Sequence, residues 1–417
     1  MPPAKKSKPG VVRKSMLPVP AEQEGGLVRD RSAFAATVKG LKAKYPGHVF
    51  MGDEYAMPWL YRRLPTGITE LDIAINGGLP AGGITMLVAP EGIGKNWLAN
   101  QVIKKQQQFF GANCRIGVIS LEMPYDKLFA QACGVRVAMA PSEIRAMEMG
   151  EQEMHRDASL RLPEDMRAQL SDQVGEFVVV PPTTAEKALN IACEFVASRE
   201  FNVVLIDSFG SMLTELEQEK SLEDPNRVGG SALLNTAFAR RMNAASAPNR
   251  DGMPNLTCTI GINQARENMK KTTPYAPDWV ENGGYALKHA RWLSIFLKRT
   301  GYVNRKVGDK QFRIGKTIQW DIAKQKAGGH EGSTGSYDFL WGECGIDPWM
   351  ELARLLESLG LITRAGAWYT YEDIRGNGLS DFVAQLRQGG PDRYTDLERL
   401  CFLKAGISCN WTGEPWL

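Results

Sequence analysis

The chain has 417 residues, a formal net charge of +3, 43% hydrophobic and 23% charged residues, seven cysteines and four histidines. Near-balanced charge means that any basic surface is local. Odd, scattered cysteines without a CxxC pair argue against a disulfide framework or a zinc site and fit a reducing compartment, and no apolar run approaches the ~20 residues of a membrane span.

A chain of this length can bury one large core plus a smaller module. Residues 1–30 carry Lys5, Lys6, Lys8, Arg13 and Lys14 among Pro and Gly, with no apolar leader. This is the texture of a disordered basic tail, with DNA phosphates as a second use for its charge. Residues 31–45 set Phe34, Val38 and Leu41 at helical spacing with Lys on the other face. Such an amphipathic helix must dock on its own core or on a neighbouring subunit. An extended, aromatic-rich stretch follows to Thr66 and Gly67.

From Gly67 the pattern is strand, loop, helix, repeated. Strands are predicted at Ile84–Val88, Arg115–Leu121, Phe177–Val180, Val203–Ile206 and Thr257–Ile262. Helices are predicted from near Asn96 to about Phe110, at Thr184–Ser198 and at Ala232–Ala244. Trp292–Leu297 and Thr317–Ile322 read as antiparallel additions. Apolar strands alternating with helices predict a mainly parallel sheet covered on both faces, with ligand loops along the rim at the carboxyl ends of the strands. After about Gly345 the texture changes to a helix over Asp347–Gly360, a short strand at Trp368–Tyr371 and more helix to Gly406. That is a small α+β module of roughly 75 residues, near the lower size for independent folding.

Chemistry concentrates on the predicted rim. Leu87–Trp97 reads LVAPEGIGKNW, an apolar strand running into a Gly-rich loop and a helix. It is nearly a P-loop, in which backbone N–H groups and a Lys cradle phosphates. It departs twice: Ala89 stands at the first Gly, and Asn96 replaces the hydroxyl that meets Mg²⁺. Asp207 follows four apolar β-formers, the Walker B arrangement for Mg²⁺, or else a strand-end cap. Glu122 ends the second strand as a general base or a surface acid. Gln264 ends the fifth as a γ-phosphate sensor or a satisfied polar end. Long polar loops at about 215–230 and 265–283 share that rim, and the second is basic. Together they suggest a surface for an extended polyanion.

In this order the motifs resemble the RecA family of recombinases, and within it the UvsX-type recombinases of bacteriophages. LPTGITELDIAINGGLPAGGITMLVAPEGIGK, NVVLIDSFGSM, INQ, NGGYALKHA, IAKQKAGG and GIDPWMELARLLESLGLITRAGAWY carry the resemblance, over roughly residues 31–375. It implies a RecA-like P-loop ATPase core at 67–345, an N-terminal polymerisation helix and strand at 31–66 and a small α+β C-terminal domain at 346–417. It implies ATP and Mg²⁺, with Glu91, Gly92, Ile93, Gly94, Lys95, Asn96 and Trp97 around the phosphates and Asn96 and Asp207 on the metal. Glu122 would activate water, Gln264 would sense the γ-phosphate, and Asp126 and Phe129 would meet the adenine. Lys324 and Lys326 would cross the subunit interface to a neighbour's ATP. Single-stranded DNA would lie on Arg227, Arg266, Asn282, Gly283, Gly284 and Lys288, and incoming homologous duplex on Lys298 and Arg299. For each basic residue the bland alternative is a solvated surface charge.

The resemblance further implies a helical filament in a bacterial or phage-infected cytoplasm, with single-strand-binding and loader proteins as partners. Two rivals stand beside it. SLEMP at 120–124 also resembles hexameric replicative helicases, and Asn96 keeps open a non-catalytic mediator that binds ATP and DNA. His289 stands where cellular members carry an aromatic residue, and no strongly acidic tail follows Gly413.

Overall fold

The structure, a computed structural model, describes residues 31–54, 62–155, 163–212, 214–215, 230–249, 251–268, 278–281 and 284–407. The basic tail at 1–30, Arg227, Asn282, Gly283 and most of the two polar loops lie outside the described residues. The chain divides into two units, one up to Met51 and one from Gly52 onward. The first contains α1 (Arg31–Lys44). Phe34 and Leu41 stand on it 60% and 40% exposed.

The second unit opens with β1 (Arg63–Leu64), α2 (Thr69–Ala74) and β2 (Leu79–Pro80), the two strands pairing antiparallel. The main body follows as β3 (Ile84–Ala89), α3 (Lys95–Phe110), β4 (Arg115–Ser120), α4 (Lys127–Ala132), α5 (Pro141–His155), α6 (Glu164–Leu170) and β5 (Glu176–Val180). It continues with α7 (Ala185–Ser198), β6 (Val203–Asp207), α8 (Gly230–Ala245), β7 (Cys258–Glu267), β8 (Trp279–Glu281), α9 (Gly284–Ala290), β9 (Leu293–Val307), β10 (Lys310–Gln325) and β11 (Thr334–Leu340). The chain closes with α10 (Pro348–Ser358), a small sheet of β12 (Thr363–Ala365), β13 (Trp368–Tyr371) and β14 (Ile374–Asn377), then α11 (Leu379–Arg387) and α12 (Gly390–Lys404).

The large sheet runs β11-β10-β9-β3-β7-β6-β4-β5, with β8 attached to β7. Pairings from β9 through β5 are parallel, and those of β10, β11 and β8 are antiparallel. All six residues of β3 are buried, as a strand covered on both faces requires. Its two-residue alternation feeds two clusters. Leu87 and Ala89 join Trp97, Leu98 and Val102 of α3, while Met86 and Val88 join Ala188 of α7, Phe238 of α8 and Leu287 of α9. The terminal elements hold a third cluster that includes Leu352, Leu356, Phe382 and Cys401. Asp347 starts α10 by accepting the N–H groups of Trp349 and Met350. Among the described residues no helix is long and apolar enough to cross a membrane.

Three expectations need correction. Trp292–Leu297 falls in β9, which runs parallel to β3 (Thr85 opposite Leu293, Val88 opposite Phe296). The intervening α9 carries the chain back to the edge where strands start, which permits a parallel pairing. β9 and β10 also run far past their apolar halves. Their charged ends pair with each other, a strand signal that hydrophobic alternation does not carry. Arg266 sits on a strand rather than in a loop: the base of the 265–283 segment is a ladder pairing Arg266 with Val280 and Ala265 with Glu281. The N-terminal polymerisation helix and strand expected at 31–66 fall partly outside the described residues, at 55–61.

Candidate functional site

Strand register assembles the site. Ala89, the last residue of β3, lies opposite Gln264 of β7, and Ser120, the last of β4, lies opposite Asp207, the last of β6. Glu122 follows two residues after β4. The predicted phosphate loop, base, metal ligand and sensor therefore meet at one rim. A cavity of about 300 Å³ opens there, lined by Glu91, Gly92, Lys95 and Asn96 on one side and by Glu122, Asp207 and Gln264 on the other. Asp126 and Phe129 close its end. Asp126 also accepts the Phe129 N–H as the N-cap of α4, so one carboxylate both starts the helix and borders the cavity.

The loop takes its shape from two glycines at positive φ, Gly92 at 69° and Gly94 at 122°. Ala89 belongs to β3, where the added methyl is accommodated in the core. Lys95 is 7% exposed, and its Nζ donates to the carbonyls of Ala89 at 3.0 Å and Pro90 at 2.9 Å. Burial lowers its pKa, against the pull of Asp207, Glu91 and Glu122. Asn96 Nδ2 donates to Asp207 Oδ2 at 2.7 Å. Burial raises the Asp207 pKa, and that bond and Lys95 oppose the rise. Ser208 Oγ donates to Glu122 Oε2 at 3.1 Å, and Gln264 Nε2 approaches the same oxygen at 3.5 Å.

The residues fit a magnesium ion. The donor end of the Asn96 amide is used on Asp207, which leaves Oδ1 as its metal-facing end. Asp207 is a carboxylate whose burial calls for a cation. Among the described residues no group of three or more His, Cys, Asp or Glu forms a metal cage.

Two predicted phosphate-loop residues turn away. The Trp97 side chain is 1% exposed, donates its indole N–H to the Cys344 carbonyl at 3.0 Å and packs on Tyr337 and Phe339. The Ile93 side chain joins the same core. For both, only the backbone is left to serve a phosphate. The sequence reading missed Tyr125 and Asn100, which line the cavity and hydrogen-bond to each other at 2.8 Å. A Tyr between Pro124 and Asp126 and a mid-helix Asn carry no spacing signal.

Lys324 and Lys326 do not join this cavity. Lys324 pairs with Ser294, itself opposite Met86, so it stands beside the start of β3, whereas the cavity lies past its end. Lys326 Nζ donates to the His289 carbonyl at 2.8 Å, and Lys324 Nζ donates to the carbonyls of Lys288 and His289. The pair thus caps the C-terminal end of α9. Burial, followed by repulsion from Lys326 and Arg291, pushes the Lys324 pKa down to about 8. A nearly buried ion pair, Arg291 with Glu281 at 2.5 Å, ties α9 to β8 and so to the base of the polar loop. Gly284 and Lys288 lie within α9.

Lys298 and Arg299 mark the foot of a two-stranded ribbon. β3 leaves β9 after Phe296, and β11 leaves β10 at Gly315; beyond these points β9 and β10 pair only with each other. Arg299, Arg305, Lys306, Lys310 and Arg313 are exposed on it. Arg299 and Arg313 both stack on Tyr302, at 4.7 and 4.3 Å from the ring centre. This is the local basic surface that the small net charge required.

A phosphate-type loop leaving the central strand of a mainly parallel sheet, with acids at neighbouring strand ends, defines a P-loop nucleotide-binding protein. The profile of the RecA N-terminal domain matches residues 145–344, beginning beyond the loop itself. Protein RecA of Chloroflexus aurantiacus is 26% identical over 371 residues, 88% of this chain and 90% of that protein. Protein RecA of Thermus thermophilus is 27% identical over 353 residues, 84% of this chain and 88% of that protein. Alignments this long necessarily include the phosphate loop. The crystal structure of the RadB recombinase overlaps 68% of this chain and 98% of its own at a TM-score of 0.40 and 16% identity. The chain is thus similar to RecA proteins along most of its length, and the match to the RecA N-terminal domain falls within that stretch.

Proposed function

We propose that this chain is an ATP-dependent strand-exchange recombinase that forms helical filaments on single-stranded DNA and pairs it with homologous duplex. The observation that carries the reading is the meeting of Lys95, Asn96, Glu122, Asp207 and Gln264 around one cavity. In this account Lys95 exchanges the Ala89 and Pro90 carbonyls for phosphate oxygens. Asn96 Oδ1 and Asp207 hold Mg²⁺, which when bound neutralises charge developing on the phosphates. Glu122, oriented by Ser208 and Gln264, takes a proton from the attacking water. Gln264 lies next to Ala265, whose partner Glu281 is salt-bridged to Arg291 at the end of α9. Loss of the γ-phosphate contact thereby reaches the polar loop at 265–283.

DNA phosphates are met by that loop, by Arg266 and Lys288, and by the ribbon at Lys298 and Arg299, giving sequence-independent, salt-sensitive binding. Complementarity is read by base pairing. The exposed stripe on α1 is the surface proposed to pack on a second protomer, whose Lys324 and Lys326 complete the ATP site. The GIDP segment at 345–348 favours the UvsX-type branch, and the cytoplasm as the place of action follows from DNA as substrate.

A mediator that binds ATP and DNA without exchanging strands is the second reading, favoured by Asn96 in place of a hydroxyl. A D-loop assay with ATP separates the two. Recombinase activity yields joint molecules, while filaments without product favour the mediator. Closed rings in electron microscopy would instead favour a hexameric helicase.

A further inference from the structure

Outside the cavity, a second lysine reaches the phosphate loop. Lys316 of β10 donates from Nζ to the Gly92 carbonyl at 2.5 Å, 224 residues away in sequence. Its stem is half-buried, and its ammonium lies 5.3 Å from the centre of the Phe339 ring. The approach follows from register. β9 and β10 continue past the end of β3, and Lys316, opposite Tyr302, stands several residues beyond the last pairing of β3 at Phe296. The ribbon therefore runs alongside the loop, and Lys316 is the side chain that spans the gap.

We infer that Lys316 is a positioning residue of the phosphate loop, holding it from its outer, carbonyl side so that its N–H groups are presented to a nucleotide. The physical reason lies in the peptide it grips. The Gly92 carbonyl and the Ile93 N–H are two ends of one amide. A cation on the oxygen polarises that amide and makes its N–H a stronger donor to a phosphate. Gly92 sits at φ 69° with nothing within 4 Å of where a Cβ would be, so no side-chain packing fixes this peptide from that side. A charge-assisted hydrogen bond supplies the restraint. Phe339 steadies the ammonium, and Thr317 next to it is fixed by a 2.7 Å bond to Asp338. The role is not catalytic, because Lys316 does not line the cavity.

This inference rests on the cavity binding ATP, and the experiment separates the two. Full-length wild type, Lys316→Met, Lys316→Arg and Lys95→Ala are titrated without DNA against a methylanthraniloyl-labelled ATP in the presence of Mg²⁺. Losing one charge-assisted bond to the loop predicts an approximately tenfold weaker Kd for Lys316→Met, and Lys316→Arg, which keeps the charge and donor, should recover most of it. Lys316→Gln, a neutral donor, carries the test if the Met variant fails to fold, with an intermediate loss expected. Lys316→Met binding within twofold of wild type, while Lys95→Ala has lost binding, overturns the inference. Undiminished binding by Lys95→Ala overturns the ATP reading, and this inference with it.

Discussion

The two ends of β3 make opposite use of lysine. At its end, Lys95 lies almost buried on loop carbonyls, ringed by Asp207, Glu91 and Glu122. At its start, Lys324 and Lys326 crowd each other on the carbonyls of α9, where repulsion from Lys326 and Arg291 outweighs the pull of Glu331 on Lys324. The first arrangement is a cation among acids, with a cavity to receive phosphates. The second is a local cationic excess held on the carbonyls of a helix terminus. A single protomer thus carries two halves that its own sheet keeps apart, and the account assigns their union to the contact between protomers.

That contrast can be broken at either end. The largest effect is expected for Lys95→Ala, which should weaken ATP binding by at least about a hundredfold in an equilibrium titration, as a buried charged donor is lost. Lys324→Ala/Lys326→Ala should leave binding to isolated protomers near wild type yet cut DNA-stimulated ATPase by on the order of a hundredfold. Equal loss in both measurements would place the pair in the protomer's own site. Asn96→Thr should raise the hydrolysis rate by about threefold to tenfold, because a hydroxyl can serve Asp207 and the metal through one oxygen. An unchanged rate means that Asn96 is not limiting.

The smallest effect is one of pH. Lys324 is a base whose pKa is lowered to about 8, so its charge is complete well below that value and is lost as pH rises through it. DNA-stimulated ATPase should therefore decline as pH rises through and above that value, as the charge of this group is lost. Lys324→Arg should flatten that limb of the profile, since a guanidinium does not titrate there.

The central strands were legible because apolar runs such as ITMLVA and VVLID are buried on both faces and leave little choice of state. The cavity was legible for a related reason: loops at the ends of parallel strands share one rim, so the sequence alone gathers Lys95, Glu122, Asp207 and Gln264. What escaped is what depends on side-chain direction or on pairing between polar strands. Trp97 follows the loop in sequence, but its helical position turns it into the core against Tyr337. The distal halves of β9 and β10 mix charged and polar residues and have no apolar period to announce them. The 2.5 Å contact of Lys316 with Gly92 spans 224 residues that no local pattern connects.

Mixing the two damaged forms tests the union of halves most directly. Lys95→Ala protomers keep Lys324 and Lys326, and Lys324→Ala/Lys326→Ala protomers keep Lys95. In a random, equal mixture on single-stranded DNA, roughly a quarter of head-to-tail interfaces would unite the intact halves. The account predicts that DNA-stimulated ATPase, nearly absent from either variant alone, returns to about that fraction of the wild-type rate on mixing. Co-assembled filaments in which mixing restores no ATPase would contradict it.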